Sequence, residues 1–96
     1  MAAASHIQVG EEREGDHGWS YAVVVTTPDG TVSTHEVALS WVDHDHWSAG
    51  TSSPSRVVES VLHAVLTLAR PPELPAKFDL ATARRWAPDL DERLML

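Results

Sequence analysis

Residues 19–39 read WSYAVVVTTPDGTVSTHEVAL, and this stretch decides the fold. Valine and aromatic residues dominate positions 19–27, which is typical of a half-buried β-strand. Positions 27–30, Thr-Pro-Asp-Gly, favour a turn because proline presets φ at the second position and glycine supplies the positive φ of a bulge. The sequence therefore predicts a β-hairpin over residues 19–39, whose second strand runs from residue 31 to about residue 39.

The turn also predicts which residues face one another across the hairpin. If Thr27 faces Thr31, the more apolar face carries the cross-strand pairs Val25–Ser33, Val23–His35, Tyr21–Val37 and Trp19–Leu39. The opposite face then carries the pairs Val24–Thr34, Ala22–Glu36 and Ser20–Ala38. The turn chemistry and the burial pattern select the same face for the core, so local and global signals agree. His35 falls on the apolar face and is expected at its margin, with its ring packed against neighbours.

The second half of the chain predicts one main helix over residues 54–69. Ser53 suits the N-cap, and Pro54 suits the first helical position. The apolar residues that follow recur at three- and four-residue steps and form one stripe: Val58, Val61, Leu62, Val65, Leu68 and Ala69. Two prolines at positions 71 and 72 end the helix, and Asp79 can cap a short C-terminal helical segment over residues 79–94.

These elements predict a single α+β domain over residues 1–96. An antiparallel β-hairpin of two or three strands packs on one long α-helix and a short C-terminal helical segment. The third strand would come from residues 7–9, whereas residues 1–18 as a whole are expected to be partly flexible, with a mobile connection over residues 11–18. Residues 40–53 are expected to form a loop, with at most a helical turn near Trp47.

Composition narrows the classes of function. The 96-residue chain contains no cysteine, which excludes a disulfide framework and thiolate metal sites and fits a cytoplasmic protein. Residues 1–50 hold eight acidic side chains against one basic side chain, so a broad nucleic-acid surface is disfavoured. The sequence shows neither a secretory leader nor an apolar run of about 20 residues, so no membrane partner is expected.

The C-terminal half of the chain resembles a family of small, uncharacterised bacterial proteins. The resemblance covers about residues 19–94 and is carried by residues 53–94, SPSRVVESVLHAVLTLARPPELPAKFDLATARRWAPDLDERL, with THEVALS at 34–40 and WSAG at 47–50 also fitting. Its motif residues are Phe78, Asp79, Leu80, Trp86, Pro88 and Asp89. It implies no activity, because none is assigned to that family. The run YAVVVTTPDG at residues 21–30, taken with the main helix, is similar to the sheet-and-helix unit of HicB-like antitoxins. That similarity implies an antitoxin-like or nucleic-acid-associated role as one alternative.

The segment 43–46, Asp-His-Asp-His, is the densest group of metal-ligating side chains. In an extended conformation His44 and His46 would project to one side, as ligands of Zn²⁺ or Ni²⁺ must. The hairpin register brings His17 near this segment, so the expected ligands are His44, His46, Asp43 and His17. The other interpretation is a polar surface loop.

Two further groups of side chains are candidates for binding or catalysis. Arg84, Arg85 and Trp86 could contact an acidic partner or nucleic acid, or could be a surface cluster paired with nearby acidic residues. Glu59 and His63 lie one helical turn apart, which suits either a base with its orienting carboxylate or an ordinary surface pair.

No group of residues predicts a catalytic site, and no cofactor is expected. The preferred interpretation is a protein-interaction or accessory domain without catalytic activity, because a small sheet covered by one helix leaves an edge and part of a face free. Its predicted partners are a second copy of the chain, as a homodimer, or another protein. The alternatives are a divalent-metal-binding protein that uses residues 43–46 and an antitoxin-like or nucleic-acid-associated protein.

Overall fold

The hairpin predicted for residues 19–39 forms the centre of a four-stranded sheet. The computed structural model describes residues 5–48, 52–68 and 71–93. Its strands are β1 (His6–Glu14), β2 (Gly18–Thr26), β3 (Val32–Ser40) and β4 (Lys77–Asp79). Its helices are α1 (Trp41–Ser48), α2 (Pro54–Leu66), α3 (Ala83–Trp86) and α4 (Leu90–Arg93), and a 3-10 turn before α3 spans Leu80–Thr82. The strands lie in the order β1-β2-β3-β4, with β4 parallel to β3 and the other neighbours antiparallel.

The predicted register of the hairpin is confirmed along its whole length. The cross-strand partners run from Val25–Ser33 to Trp19–Leu39 on one face and from Val24–Thr34 to Ser20–Ala38 on the other. In the turn, Gly30 has a φ of 89°. The Asp29 carboxylate accepts hydrogen bonds from the Thr27 hydroxyl and, at 3.1 Å, from the Thr31 N–H. These two donors hold the pKa of Asp29 below its usual value, and they fix the bend that sets the register.

The α+β class is confirmed, but the finer prediction of a two- or three-stranded hairpin on one long helix is wrong. The sheet has β1 along one edge and β4 along the other, and α1 replaces most of the predicted loop before Ser53. Helix α2 begins at Pro54 with Ser53 as its N-cap, as predicted. It ends at Leu66 with the β-branched Thr67 as its C-cap, and Ala69 lies outside the described residues.

Strand β1 extends through half of the segment that was expected to be mobile. Residues 12–14, Glu-Arg-Glu, pair with residues 19–21 of β2, so this part of the range is a strand rather than a connection. An edge strand tolerates such a charged sequence because its side chains and one of its backbone edges face solvent. The pairing shifts between Val9 and Glu12, which leaves Gly10 and Glu11 opposite the single residue Ala22 as a β-bulge.

Tyr21 connects β1 to the core. Its ring is only 1% exposed, and its hydroxyl donates a hydrogen bond to the carboxylate of Glu12 across the strand pair. Burial raises the pKa of the Tyr21 hydroxyl, and the hydrogen bond to Glu12 and the negative charge of that carboxylate raise it further. The edge strand therefore carries the one polar contact that this buried phenol needs.

His35 joins the hairpin to the segment that leads into β4. The side chain is buried, with Nδ1 2.6 Å from the Pro75 carbonyl oxygen and Nε2 2.8 Å from the Ser33 hydroxyl. A carbonyl only accepts, so Nδ1 carries the hydrogen and Nε2 accepts from Ser33. The Glu36 N–H then donates to the Ala76 carbonyl at 2.8 Å, which continues this contact into β4. A histidine expected at the margin of the core thus positions the parallel strand.

The core lies between one face of the sheet and the helices. Side chains alternate between the two faces along β2 and β3, so the buried residues are every second one. The core residues that the sheet and α2 contribute are Tyr21, Val23, Val25, Val37, Leu39, Val57, Val58, Val61, Leu62 and Val65. The C-terminal part adds Phe78, Leu80, Ala83, Ala87 and Leu90. Within residues 5–48, 52–68 and 71–93, no helix has the length and apolar character to cross a membrane.

Gly18 lies where β2 starts against the end of β3. A Cβ atom at Gly18 would lie 2.0 Å from the Leu39 carbonyl oxygen and 2.7 Å from the Ser40 Cα atom. We expect Gly18→Ala to lower the free energy of unfolding by roughly 1–3 kcal/mol, because the β3 backbone must move to make room. Denaturant unfolding measures this loss. Gly15→Ala is the matched control, since its Cβ would meet the Gly18 carbonyl oxygen at an ordinary 3.7 Å. Equal losses for the two variants would contradict the expectation.

Tyr21 is the chain's one tyrosine, so ultraviolet difference absorbance follows its ionisation alone. A folded-state pKa above the ordinary 10.0 means that the folded protein holds this proton more tightly than the unfolded chain. This contribution to stability is complete below pH 10.0 and is lost as the pH rises from there toward the folded-state pKa. We expect the free energy of unfolding to fall with pH in that alkaline window, and to fall less in Tyr21→Phe. A tyrosinate signal at the ordinary pKa, with the circular dichroism of the folded protein intact, would refute this.

Candidate functional site

Helix α1 starts directly after β3 and presents two apolar side chains to solvent. The Ser40 hydroxyl accepts the Asp43 N–H at 3.1 Å and caps the first turn. The Trp41 N–H donates to the His17 carbonyl at 2.9 Å, which ties the start of the helix to the entry of β2. The Trp41 side chain is 45% exposed and that of Val42 is 77% exposed. The end of the hairpin therefore fixes where these two side chains emerge.

The Trp19 ring supports Trp41 and is itself in contact with His44. The Trp19 ring lies edge-to-face against Trp41, with centroids 6.5 Å apart, and against His44, with centroids 5.2 Å apart. His44 is held by a 2.6 Å hydrogen bond from Nε2 to the Ser52 carbonyl. Edge-to-face contacts of this kind stabilise aromatic clusters beyond the area they bury. We call the exposed Trp41 and Val42, with Trp19 and His44 behind them, the Trp41 surface.

Arg84 of α3 fastens α1 to the C-terminal part of the chain. Its Nη1 atom lies 3.0 Å from Oδ1 of Asp43, and its guanidinium carbon lies 4.3 Å from the centroid of the Trp47 ring. The Arg84 side chain is 32% exposed and the Asp43 side chain 16%, so both charges are partly withdrawn from water. The Trp47 ring is buried, and its face attracts the cation. The ion pair and the stacking together hold α1 in place.

The predicted metal ligands are not gathered by this arrangement. Residues 43–46 are helical rather than extended, so His44 and His46, two positions apart and about 200° around the helix, project to different sides. Asp43 is paired with Arg84. His17 contacts the start of α1 through its backbone carbonyl, which accepts the Trp41 N–H. Within the described residues, no three His, Cys, Asp or Glu side chains form a group that could hold a metal ion.

The predicted partner-binding residues divide between structure and surface. Arg84 pairs with Asp43, which is distant from it in sequence. Trp86 is half-buried and lies edge-to-face on Phe78, with centroids 5.3 Å apart, so it belongs to the rim of the core. Arg85 is exposed on α3. Of the three candidates, Arg85 is the one whose side chain is exposed, as a residue that binds a partner must be.

Glu59 and His63 lie on the exposed side of α2, beside the first residues of β1. Together with Ser60 and His6 they line a cleft of about 550 Å³. In the part of the chain that the structure describes, no hydrogen bond or ion pair links Glu59 to His63. The pair therefore has the geometry of an ordinary helix surface, because a base oriented by a carboxylate needs a contact of about 3 Å.

Sequence reasoning missed α1, although a signal for it was present. Ser40 and Asp43 form the Ser-x-x-Asp spacing of a helix N-terminus. That spacing would have predicted a helix from Trp41 and opposite sides for His44 and His46. The pairing of Arg84 with Asp43 had no comparable signal, because 41 positions separate the two residues.

Comparison with protein-family profiles, with curated proteins and with solved structures yields no match for this chain. The resemblances to a family of small bacterial proteins and to HicB-like antitoxins therefore stay predictions from the residues that carry them. The geometry of the chain's own side chains is what supports a functional interpretation.

The contact between Arg84 and Asp43 is testable by a double-mutant cycle. We expect Arg84→Ala and Asp43→Ala to show a coupling of about 1 kcal/mol in the free energy of unfolding, because the pair is partly buried. The matched control is Lys77 with Glu36, a pair of similar length at 3.1 Å but with side chains 82% and 45% exposed. Its coupling should stay below about 0.5 kcal/mol, because solvent screens it. Similar couplings for the two pairs would show that Arg84 does not fasten α1 through Asp43.

Proposed function

We propose that the chain is a protein-interaction domain, without catalytic activity of its own, that binds a partner protein through the Trp41 surface. The observation that carries this proposal is the exposure of two adjacent large apolar side chains, Trp41 and Val42, on the first turn of α1. Tryptophan is among the residues most enriched where truncation weakens a protein–protein interface most. Neither side chain belongs to the hydrophobic core, and contiguous exposed apolar surface marks interaction sites.

The support around Trp41 makes this surface suitable for binding. Trp19 packs edge-to-face on the Trp41 indole and is itself in edge-to-face contact with His44, and Arg84 fastens the helix through Asp43. A partner therefore meets an anchor that is already ordered, and little side-chain entropy is lost on binding. Among the described residues, the other large apolar side chain with comparable exposure is Val32, which lies on the open face of the sheet, next to the hairpin turn and away from α1.

Charge indicates the chemistry of the partner. The first 50 residues, which include α1 and the strands around it, carry eight acidic side chains against one basic side chain. A partner with an apolar pocket for Trp41 and a basic rim is therefore favoured. Such charges mainly speed the encounter and make it salt-dependent, while the apolar anchor provides affinity.

The alternative functions have less support. Metal binding by residues 43–46 would require side chains that the helix turns to different sides. A nucleic-acid role would depend on the arginines of α3, of which Arg84 is already paired with Asp43. A cytoplasmic location stays a prediction from the absence of cysteine.

Quantitative affinity purification from the source cells tests the proposal with three tagged chains: wild type, Trp41→Ala and Val32→Ala. We expect one or more proteins to be recovered by wild type and by Val32→Ala, and to fall about tenfold or more with Trp41→Ala, because losing a tryptophan anchor costs binding energy of that order. Val32→Ala is the matched control, since it also truncates an exposed apolar side chain.

Both variants must unfold at nearly the wild-type temperature, because exposed side chains contribute little to stability. Recovery of the same proteins in the same amounts by all three chains would show that Trp41 does not anchor a partner, and the proposal would fall.

A further inference from the structure

The face of the sheet opposite the helices is open to solvent and carries several small side chains. Its positions on β2 and β3 alternate with the core residues and include the small Ser20, Ala22, Thr34 and Ala38, together with the half-buried Val24 and Glu36 and the exposed Val32. Ala22 is exposed although β1 and β3 flank it, and Thr34, which pairs with Val24, is exposed as well. Two shallow grooves of about 220 and 270 Å³ cross this face. The surface is therefore shallow, and apart from Glu36 on β3 the charged side chains of its two middle rows lie at its borders.

The first groove follows one row of residues across all four strands. The pairing places Arg13 of β1 opposite Ser20, Ser20 opposite Ala38, and Ala38 opposite Asp79 of β4. All four residues line the 220 Å³ groove. Arg13 and Asp79 are both exposed, so this row has a positive end on β1 and a negative end on β4.

The next row has the opposite polarity. The bulge places Glu11 of β1 across from Ala22, which is opposite Glu36, which in turn is opposite Lys77 of β4. Lys77 contacts Glu36 at 3.1 Å but is 82% exposed, so its charge remains available at the border of the sheet. This row has a negative end on β1 and a positive end on β4. The ends of the two rows together place alternating charges at the four corners of this part of the open face.

We propose that this open face binds a second copy of the chain, face to face, about a two-fold axis parallel to the strands. That rotation lays β1 of one copy over β4 of the other and keeps each row over itself. Arg13 then meets Asp79 of the other copy, and Glu11 meets its Lys77. The charge pattern is thus complementary to its own rotated copy, which is what an isologous interface requires. An unrelated partner would have to match both rows independently.

The sizes of the side chains also fit this arrangement. The same rotation lays Ser20 over Ala38, and it lays Ala22 over Glu36, so each copy has a small residue where the other has the larger one. Packed sheets lie about 10 Å apart, a gap that an arginine and an aspartate can bridge together from opposite sides. The strands of two aligned sheets cross at about 30°, which leaves the corner residues within reach.

The expected dimer is weak. Three strands of nine residues, at about 4.8 Å spacing and about 3.3 Å rise, form a face of roughly 14 Å by 30 Å. That is smaller than the roughly 800 Å² per partner of a standard interface, so we expect a dissociation constant on the order of 10–100 µM. Because charges border the face, raising the salt concentration should weaken the dimer.

Sedimentation velocity of the wild-type chain from ~5 to ~500 µM measures the dimer, because self-association depends on concentration. Arg13→Glu alone and Asp79→Arg alone should each weaken it about tenfold or more, because each reversal repeats at two symmetric contacts. Mixed in equal amounts, these two variants should form a heterodimer within about threefold of the wild-type affinity, because one contact is native and the other is reversed on both sides.

Three controls separate this effect from folding and net charge. Asp79 also accepts the Ala81 N–H at 2.9 Å, so Asp79→Asn, which keeps an acceptor oxygen, shows the effect of losing the charge alone. Arg56→Glu makes the same change in net charge as Arg13→Glu, but on the exposed surface of α2. Both Arg56→Glu and Trp41→Ala should leave the dimer unchanged, so the two proposed surfaces are tested separately.

A wild-type chain that stays monomeric at the highest concentration would overturn the proposal. So would a dimer that Arg13→Glu does not weaken, or one that Arg56→Glu weakens equally. If both reversals weaken the dimer but the mixture does not restore it, β1 does not lie over β4 of the other copy, and the proposed arrangement is wrong. Recovery in the mixture cannot come from folding, because each chain folds with its own substitution.

Discussion

The pairing of β2 with β3, set by the turn between Thr27 and Thr31, is the constraint on which the rest of the structure depends. Side chains alternate along a strand with a period of two. A shift of β2 by one residue would therefore turn all of its core-facing side chains to the other face of the sheet. Tyr21 and Val23 would then point to solvent, and Ser20 and Ala22 would lie under α2. The turn prevents this locally, because the hydrogen bonds on Asp29 and the positive φ of Gly30 admit one register.

That register also determines where the chain's reactive side chains end up. Strand β3 continues without a break into α1, so its last residues decide which way Trp41 and Asp43 point. Asp43 turns toward Arg84, and His35 turns inward to the Pro75 carbonyl. Side chains that suit catalysis or metal binding in the sequence are thus engaged in holding elements together. On α1 the exposed side chains are Trp41 and Val42 in the first turn and Asp45 and His46 after it, and the apolar pair favours recognition.

The hairpin, the start of α2 and the cap at Asp79 could be predicted because each depends on residues that are close in sequence. The Thr-Pro-Asp-Gly turn, Ser53 before Pro54, and an aspartate before a short helical segment are all local signals. Strand β4 is different: it has three residues and depends on contacts to β3 about 40 positions earlier. The metal hypothesis assumed that residues 43–46 are extended, so that His44 and His46 lie on one side. The Ser40 cap instead starts a helix there, which is also why α1 was missed.

The two exposed surfaces differ in the physical force each can use. The Trp41 surface buries an indole, so its affinity would come mainly from removal of apolar area from water, and salt would act mainly on the rate of encounter. The open sheet face has no large apolar side chain in the two charged rows at its centre, so contact there gains mainly from paired charges at its borders and is screened as ionic strength rises. A weak, salt-sensitive self-association and a stronger apolar contact with a partner are therefore compatible in one small chain, because neither surface contributes the residues that the other requires.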